Sequence, residues 1–183
     1  ATSKIYVKAT TMTAESGITF NGDKQIIPLQ DLTITGTLSD SCLFDVRDYA
    51  VSLGSDAHTI TLDGISTRET IISISGTLSM TNVSVENCSG GGYLVYQGAG
   101  ATCLNNVSFS GNKPNDCIDL HSSDTENNTL EIGQDVAIGG IYIAVYDGAV
   151  APPLVKLNAA SSLRAGSSKI TLTVQSSSPV GLQ

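Results

Sequence analysis

Tryptophan is absent from this chain, and only 5% of its residues are aromatic. Charge is scarce as well: Asp, Glu, Lys and Arg make up 14%. Lys and Arg number 9 against 17 Asp and Glu, and they are scattered. No basic patch is available to neutralise phosphates, which argues against nucleic acid as a partner. A formal net charge of -8 likewise makes an anionic membrane surface a poor partner, and serves solubility. No long apolar run occurs. The most apolar stretch, residues 138–155, is broken by Asp147 and Pro152-Pro153, so direct membrane insertion of this segment is not expected. None of the four cysteines (Cys42, Cys88, Cys103, Cys117) sits in a CxxC pair, so a zinc or redox site lacks its usual spacing. Cys88 and Cys103 can meet only if neighbouring turns of chain stack in register; small buried thiols fit the pattern better. Helical periodicity is missing too: no window of a dozen residues carries a clean apolar stripe.

What is present is 18 Gly, 40% hydrophobic residues and many Ser, Thr and Asn. That is a composition of short strands and tight turns. With 183 residues, the chain can bury a core as a single domain over 1–183. It reads as a segment of a longer protein, continued at one or both ends.

The stretch from Ser75 to Asn112 repeats itself. Asn82-Val83-Ser84-Val85 returns as Asn106-Val107-Ser108-Phe109, and Met80 returns as Leu104 at the same interval. A second echo links Thr35-Gly36-Thr37-Leu38-Ser39 to Ser75-Gly76-Thr77-Leu78-Ser79, which two shorter coils would explain. A third is Leu130-Glu131-Ile132 followed by Val136-Ala137-Ile138, the same pattern with one residue inserted. Within each unit apolar residues alternate, as in Leu32/Ile34, Ile60/Leu62, Ile72/Ile74 and Val107/Phe109. Period two means strands with one buried face.

A sandwich would also bury alternating faces, but it does not require one residue to resemble another a fixed interval away. A solenoid does, because equivalent positions lie one strand spacing apart in the same interior column. A leucine-rich repeat would need a Leu-rich consensus that is missing. The expectation is an all-β chain: a single-stranded, right-handed parallel β-helix of roughly seven coils, the chain length over a repeat near 24 residues. Asn82 and Asn106 are expected to stack as a side-chain ladder at a corner.

Gly91-Gly92-Tyr93-Leu94, followed by Phe109-Ser110-Gly111-Asn112, resembles the paired GGA-I and FxxN motifs of polymorphic outer-membrane proteins. Tyr93 replaces the Ala of the first motif, whereas the second is complete. The closing segment from Pro152 to Val174 resembles repeat units of large bacterial surface proteins, notably of spirochetes. The resemblance implies an autotransporter-passenger-like β-helix, secreted or displayed at a bacterial outer membrane, with adhesion or structural display as its role. It implies a host-surface protein or glycan as partner, and no cofactor. Gly91, Gly92, Phe109 and Asn112 are structural under this reading.

One stretch can carry chemistry. In Asn115 to Asp124, strand alternation puts Cys117, Asp119 and His121 on one face and Asp116, Ile118 and Leu120 on the other. Ile118 and Leu120 look inward, so Asp119 and His121 are expected to reach solvent. A carboxylate beside an imidazole suits acid–base work, and the strand resembles the Asp-rich strand of polygalacturonase-type glycoside hydrolases. Asp116, Asp119 and His121 are therefore the site of an alternative, carbohydrate-active reading. Against it, glycosidases need two well-placed carboxyl groups, and the further Asp pair, Gly-His-Gly turn and Arg-x-Lys strand of those enzymes are absent. Scattered carboxylates such as Asp45, Asp63 and Glu126 form neither an EF-hand loop nor a nonapeptide calcium repeat, so no metal site is assigned. Tyr93, Tyr96, Tyr142 and Tyr146 recur near strand ends, where they could serve an interface.

Overall fold

The computed structural model describes residues 1–91, 93–113, 117–122, 128–133, 135–138 and 142–147, with the later strands Val155–Asn158, Leu163–Arg164, Ile170–Gln175 and Ser178–Leu182. Among the described residues there is no helix. The strands stack in parallel as a β-solenoid of about 5 turns. Each turn contributes one short strand to each of three faces.

The first face stacks Ser3–Val7, Lys24–Pro28, Ala50–Gly54, the first half of Thr77–Glu86, the first half of Gly100–Ser110, and Asn128–Ile132. The second stacks Thr11–Ala14, Leu32–Gly36, Ile60–Asp63, the second halves of the same two long strands, and Ala137–Ile138. The third stacks Ile18–Thr19, Phe44–Val46, Ile72–Ile74, Val95–Gln97, Cys117–Ser122 and Tyr142–Asp147.

Registers turn the alternation into columns. On the first face Leu53, Met80, Leu104 and Ile132 are successive partners. The second face lines up Ile34, Leu62, Val85 and Phe109, and the third Phe44, Ile72, Val95 and Ile118. All twelve side chains are buried. The 24-residue echo is thus a true register: Met80 pairs with Leu104, Val83 with Val107, Ser84 with Ser108 and Val85 with Phe109. The third echo also holds. Leu104 pairs with Ile132 and Ser108 with Ala137, so one extra residue fills the corner between them.

The second echo does not mark equivalent positions. Thr37 lies beyond the second face, bridged to Ser66, whereas Thr77 opens a first-face strand beside Ala50. The expected seven coils are also too many. Val155–Asn158, Leu163–Arg164 and Ile170–Gln175 reverse direction and pair antiparallel with the last strand of the third, second and first faces respectively. They close the stack instead of extending it.

Corners explain the polar half of the repeat. Between the first and second faces the chain turns on one residue in the left-handed region: Asn82 at φ 58°, Asn106 at φ 49° and Asp135 at φ 52°. Asn and Asp tolerate this conformation better than other L residues. The expected ladder is there. Asn106 Nδ2 donates to Asn82 Oδ1 at 2.9 Å, the Thr59 hydroxyl donates to the same oxygen at 3.4 Å, and the Thr59 amide donates to Asp31 Oδ1 at 2.9 Å. A column of polar corner side chains therefore runs down the edge.

Asn112 occupies the next corner. Its Oδ1 accepts the Cys88 amide N–H at 2.8 Å, and its Nδ2 donates to the Val85 carbonyl at 3.0 Å. Both contacts reach one turn back, and Asn112 is buried. Replacing it by Ala strands a buried donor and a buried acceptor, a loss of about 1–3 kcal/mol for an unpaired group. Urea unfolding is expected to show that loss for Asn112→Ala and almost none for the exposed Asn105→Ala. Phe109→Ala, which opens the core under the same motif, is expected to cost roughly 3–5 kcal/mol.

Candidate functional site

Asp119 sits in the middle of Cys117–Ser122, in register with Tyr96 one turn back. Ile118 and Leu120 point into the core, as alternation requires, and Asp119 takes the opposite side of the strand. That side was expected to be open. Instead Asp119 is fully buried, at 0% exposure. Strand alternation fixes which side of a sheet a residue takes, not whether that side is covered. Here Tyr93 and Tyr96 crowd the position, with ring centroids 5.9 Å apart and planes tilted by 35°.

Burial pushes the Asp119 carboxyl up to about 7, and a hydrogen bond from the Tyr93 side chain partly offsets the rise. Burial, and then the charge of Asp119, push the Tyr96 hydroxyl up as well. A carboxyl poised near neutrality has the proton affinity of a general acid. Of the two residues expected beside it, Asp116 lies outside the described residues, and so does the His121 side chain. The other histidine, His58, is 3.8 Å from Asp31 on the outside of another corner. Among the described residues no group of three His, Cys, Asp or Glu side chains could hold a metal ion.

The motif residues serve packing. Leu94, which closes the Gly-Gly motif, is fully buried. A Cβ on Gly91 would lie 1.6 Å from the Arg68 carbonyl oxygen, so only glycine lets the two turns approach. Gly92 lies outside the described residues. Cys88 is a buried free thiol. Its Sγ lies 3.2 Å from the Glu86 carbonyl, and burial raises it to about 11, so it is inert as a nucleophile.

Two features escaped the sequence reading. One is a fully buried amide: Gln97 stands where neighbouring turns place Ile74 and Leu120. It is satisfied around the corner, accepting from the Thr102 hydroxyl at 2.7 Å and donating to the Gly100 and Thr129 carbonyls at 2.9 and 3.1 Å. The other is a groove of about 620 Å³ between the second and third faces, lined by Thr37, Ser66, Thr67, Ser89, Arg68 and Lys113. Thr37, Ser66 and Ser89 are successive bridge partners, so the groove follows the axis of the stack. Arg68 is largely exposed, with its guanidinium 4.0 Å from Asp40.

The Asp119 environment predicts a pH dependence with a definite sign. Its folded value lies above the ordinary carboxyl value of 3.8, so the folded state holds the proton more tightly. This contribution to stability is complete below about pH 4 and is lost as pH rises through 7. Unfolding free energy measured from pH 4 to 8 is expected to fall over that window, and Asp119→Asn is expected to flatten the fall.

Compared with models of protein families, with curated proteins and with solved structures, the chain matches none.

Proposed function

We propose that this chain is a non-enzymatic β-solenoid module of a secreted or surface-displayed bacterial protein, of the adhesin or display-stalk kind. What carries this reading is how its polar residues are used. Asn82, Asn106, Asn112 and Gly91 are occupied by contacts between turns. The open groove, by contrast, is lined by the hydroxyl residues Thr37, Ser66 and Ser89 and flanked by two exposed cationic side chains, Arg68 and Lys113. In a chain of net charge -8, a cleft flanked by Arg68 and Lys113 suits an anionic glycan chain laid along the stack. Hydroxyls supply adaptable hydrogen bonds and the cations supply charge-assisted ones.

One observation favours a second reading. Asp119 carries a carboxyl raised to about 7, as a glycosidase acid would. A hydrolase also needs a second carboxyl several ångströms away, and no described residue takes that part.

Glycan-array binding of the intact chain separates the two. The module reading expects retention on sulfated or uronate-bearing glycans, weakened about tenfold or more by the double change Arg68→Ala and Lys113→Ala, with no bond cleavage. Loss of polymer length that disappears in Asp119→Asn would establish the hydrolase instead.

A further inference from the structure

The groove between the second and third faces is periodic as well as open. Thr37, Ser66 and Ser89 are successive bridge partners. The Ser66 amide donates to the Gly36 carbonyl at 3.0 Å, and the Ser89 amide to the Ile65 carbonyl at 2.8 Å. The Lys113 amide donates to the Cys88 carbonyl at 3.2 Å in the same pattern. Lys113 therefore takes the next place in the column, one turn beyond Ser89. Parallel neighbours lie about 4.7–4.9 Å apart, so the column runs about 14–15 Å along the stack with one polar side chain per turn.

The floor of the groove is committed to the fold. Leu38 is buried. The Thr67 hydroxyl donates to the Ser41 carbonyl at 2.8 Å and accepts the Glu69 amide N–H at 3.1 Å. Gly90 and Gly91 add no side chain, so the turn of Ser89 lines the groove with a hydroxyl and no charge. Charge enters on the turns either side. Arg68 lies two residues past Ser66, and Lys113 one turn past Ser89. Their turns differ by two strand spacings along the axis, about 9–10 Å. Arg68 reaches Asp40 at 4.0 Å, but the two side chains are 84% and 71% exposed. Such a pair is worth little in water, so an incoming anion can replace Asp40.

Resting on the glycan-binding reading of this groove, we propose that it takes an unbranched acidic glycan in register with the stack, one sugar per turn, with an anionic group on every second sugar. Successive sugars of an extended chain recur at an interval close to one strand spacing, so each ring meets an equivalent position of the column. The hydroxyls of Ser66 and Ser89 bond ring substituents, while Arg68 and Lys113 hold a sulfate or carboxylate two sugars apart through charge-assisted hydrogen bonds. A neutral sugar lies over Ser89, where a charge would meet no cation.

Calorimetric titration of the full chain tests the repeat, at about 0.15 M salt, where charges more than about 8 Å apart are largely screened. The probes are hyaluronate oligosaccharides, with a carboxylate on every second sugar, and oligogalacturonates, with one on each. Hyaluronate tetrasaccharide is expected to bind about tenfold tighter than the disaccharide, and Lys113→Ser to remove that advantage. Ser89→Lys puts a cation on the intervening turn. It is expected to raise affinity for tetragalacturonate about tenfold and for hyaluronate tetrasaccharide less than twofold. Lys113 is exposed, so Lys113→Ser keeps the test decisive even if Ser89→Lys misfolds. Binding that ignores chain length, or an equal gain for both glycans in Ser89→Lys, overturns the repeat and leaves the glycan-binding module standing. If no anionic glycan binds at all, that module reading falls with it.

Discussion

Vertical contact between side chains one turn apart is the constraint on which everything else in this structure depends. A single turn of some two dozen residues cannot enclose a core, because its inward side chains form one layer with nothing above or below. Burial comes only from stacking, so each inward position must be apolar in the same register as its neighbours. A slip of one residue would turn an entire strand inside out. The corners inherit the constraint. They must return the backbone to the same place each time, which is why left-handed Asn82, Asn106 and Asp135 recur at one of them. Asn112 reaches back to the preceding turn at the next for the same reason.

That constraint decides what could be read in advance. The 24-residue echo was informative because strand, corner and strand all recur together between Met80 and Phe109, and a solenoid repeats all three. The 40-residue echo misled because two different corners use the same local chemistry. A small flexible residue followed by Thr-Leu suits any place where the chain leaves a turn for a buried position. Leu38 and Leu78 are both buried, yet they belong to different parts of the turn. The number of coils was overestimated because dividing length by repeat assumes that every strand runs the same way. Alternating residues such as Ile170 and Leu172 look identical whether a strand runs parallel or antiparallel to its neighbour.

Polar residues inside the stack were illegible for a related reason. Gln97 breaks the apolar pattern of its column, and its partners are a hydroxyl just around the corner and two backbone carbonyls. No linear spacing announces such a set. Asp119 presents the opposite difficulty: its side of the strand was evident, but its cover was not. Two tyrosines from the turn below convert an outward position into an interior one. A carboxylate that would be ordinary in water then becomes a group whose charge the fold resists.

The outward columns explain why function is harder to recover than fold. Reading up the third face beside the buried column of Phe44, Ile72, Val95 and Ile118, the outward partners are Thr19, Asp45, Ser73, Tyr96 and Asp119. The inward set varies only in apolar shape, while the outward set runs through hydroxyl, carboxylate and phenol. Changing an exposed outward residue that no adjacent turn contacts costs the stack little. The repeat that reveals the architecture is therefore the part of the sequence with the least freedom to encode a ligand. Under the proposed function, recognition rests on positions that do not repeat, such as Arg68 and Lys113 on the groove, and only their placement in space gives them meaning.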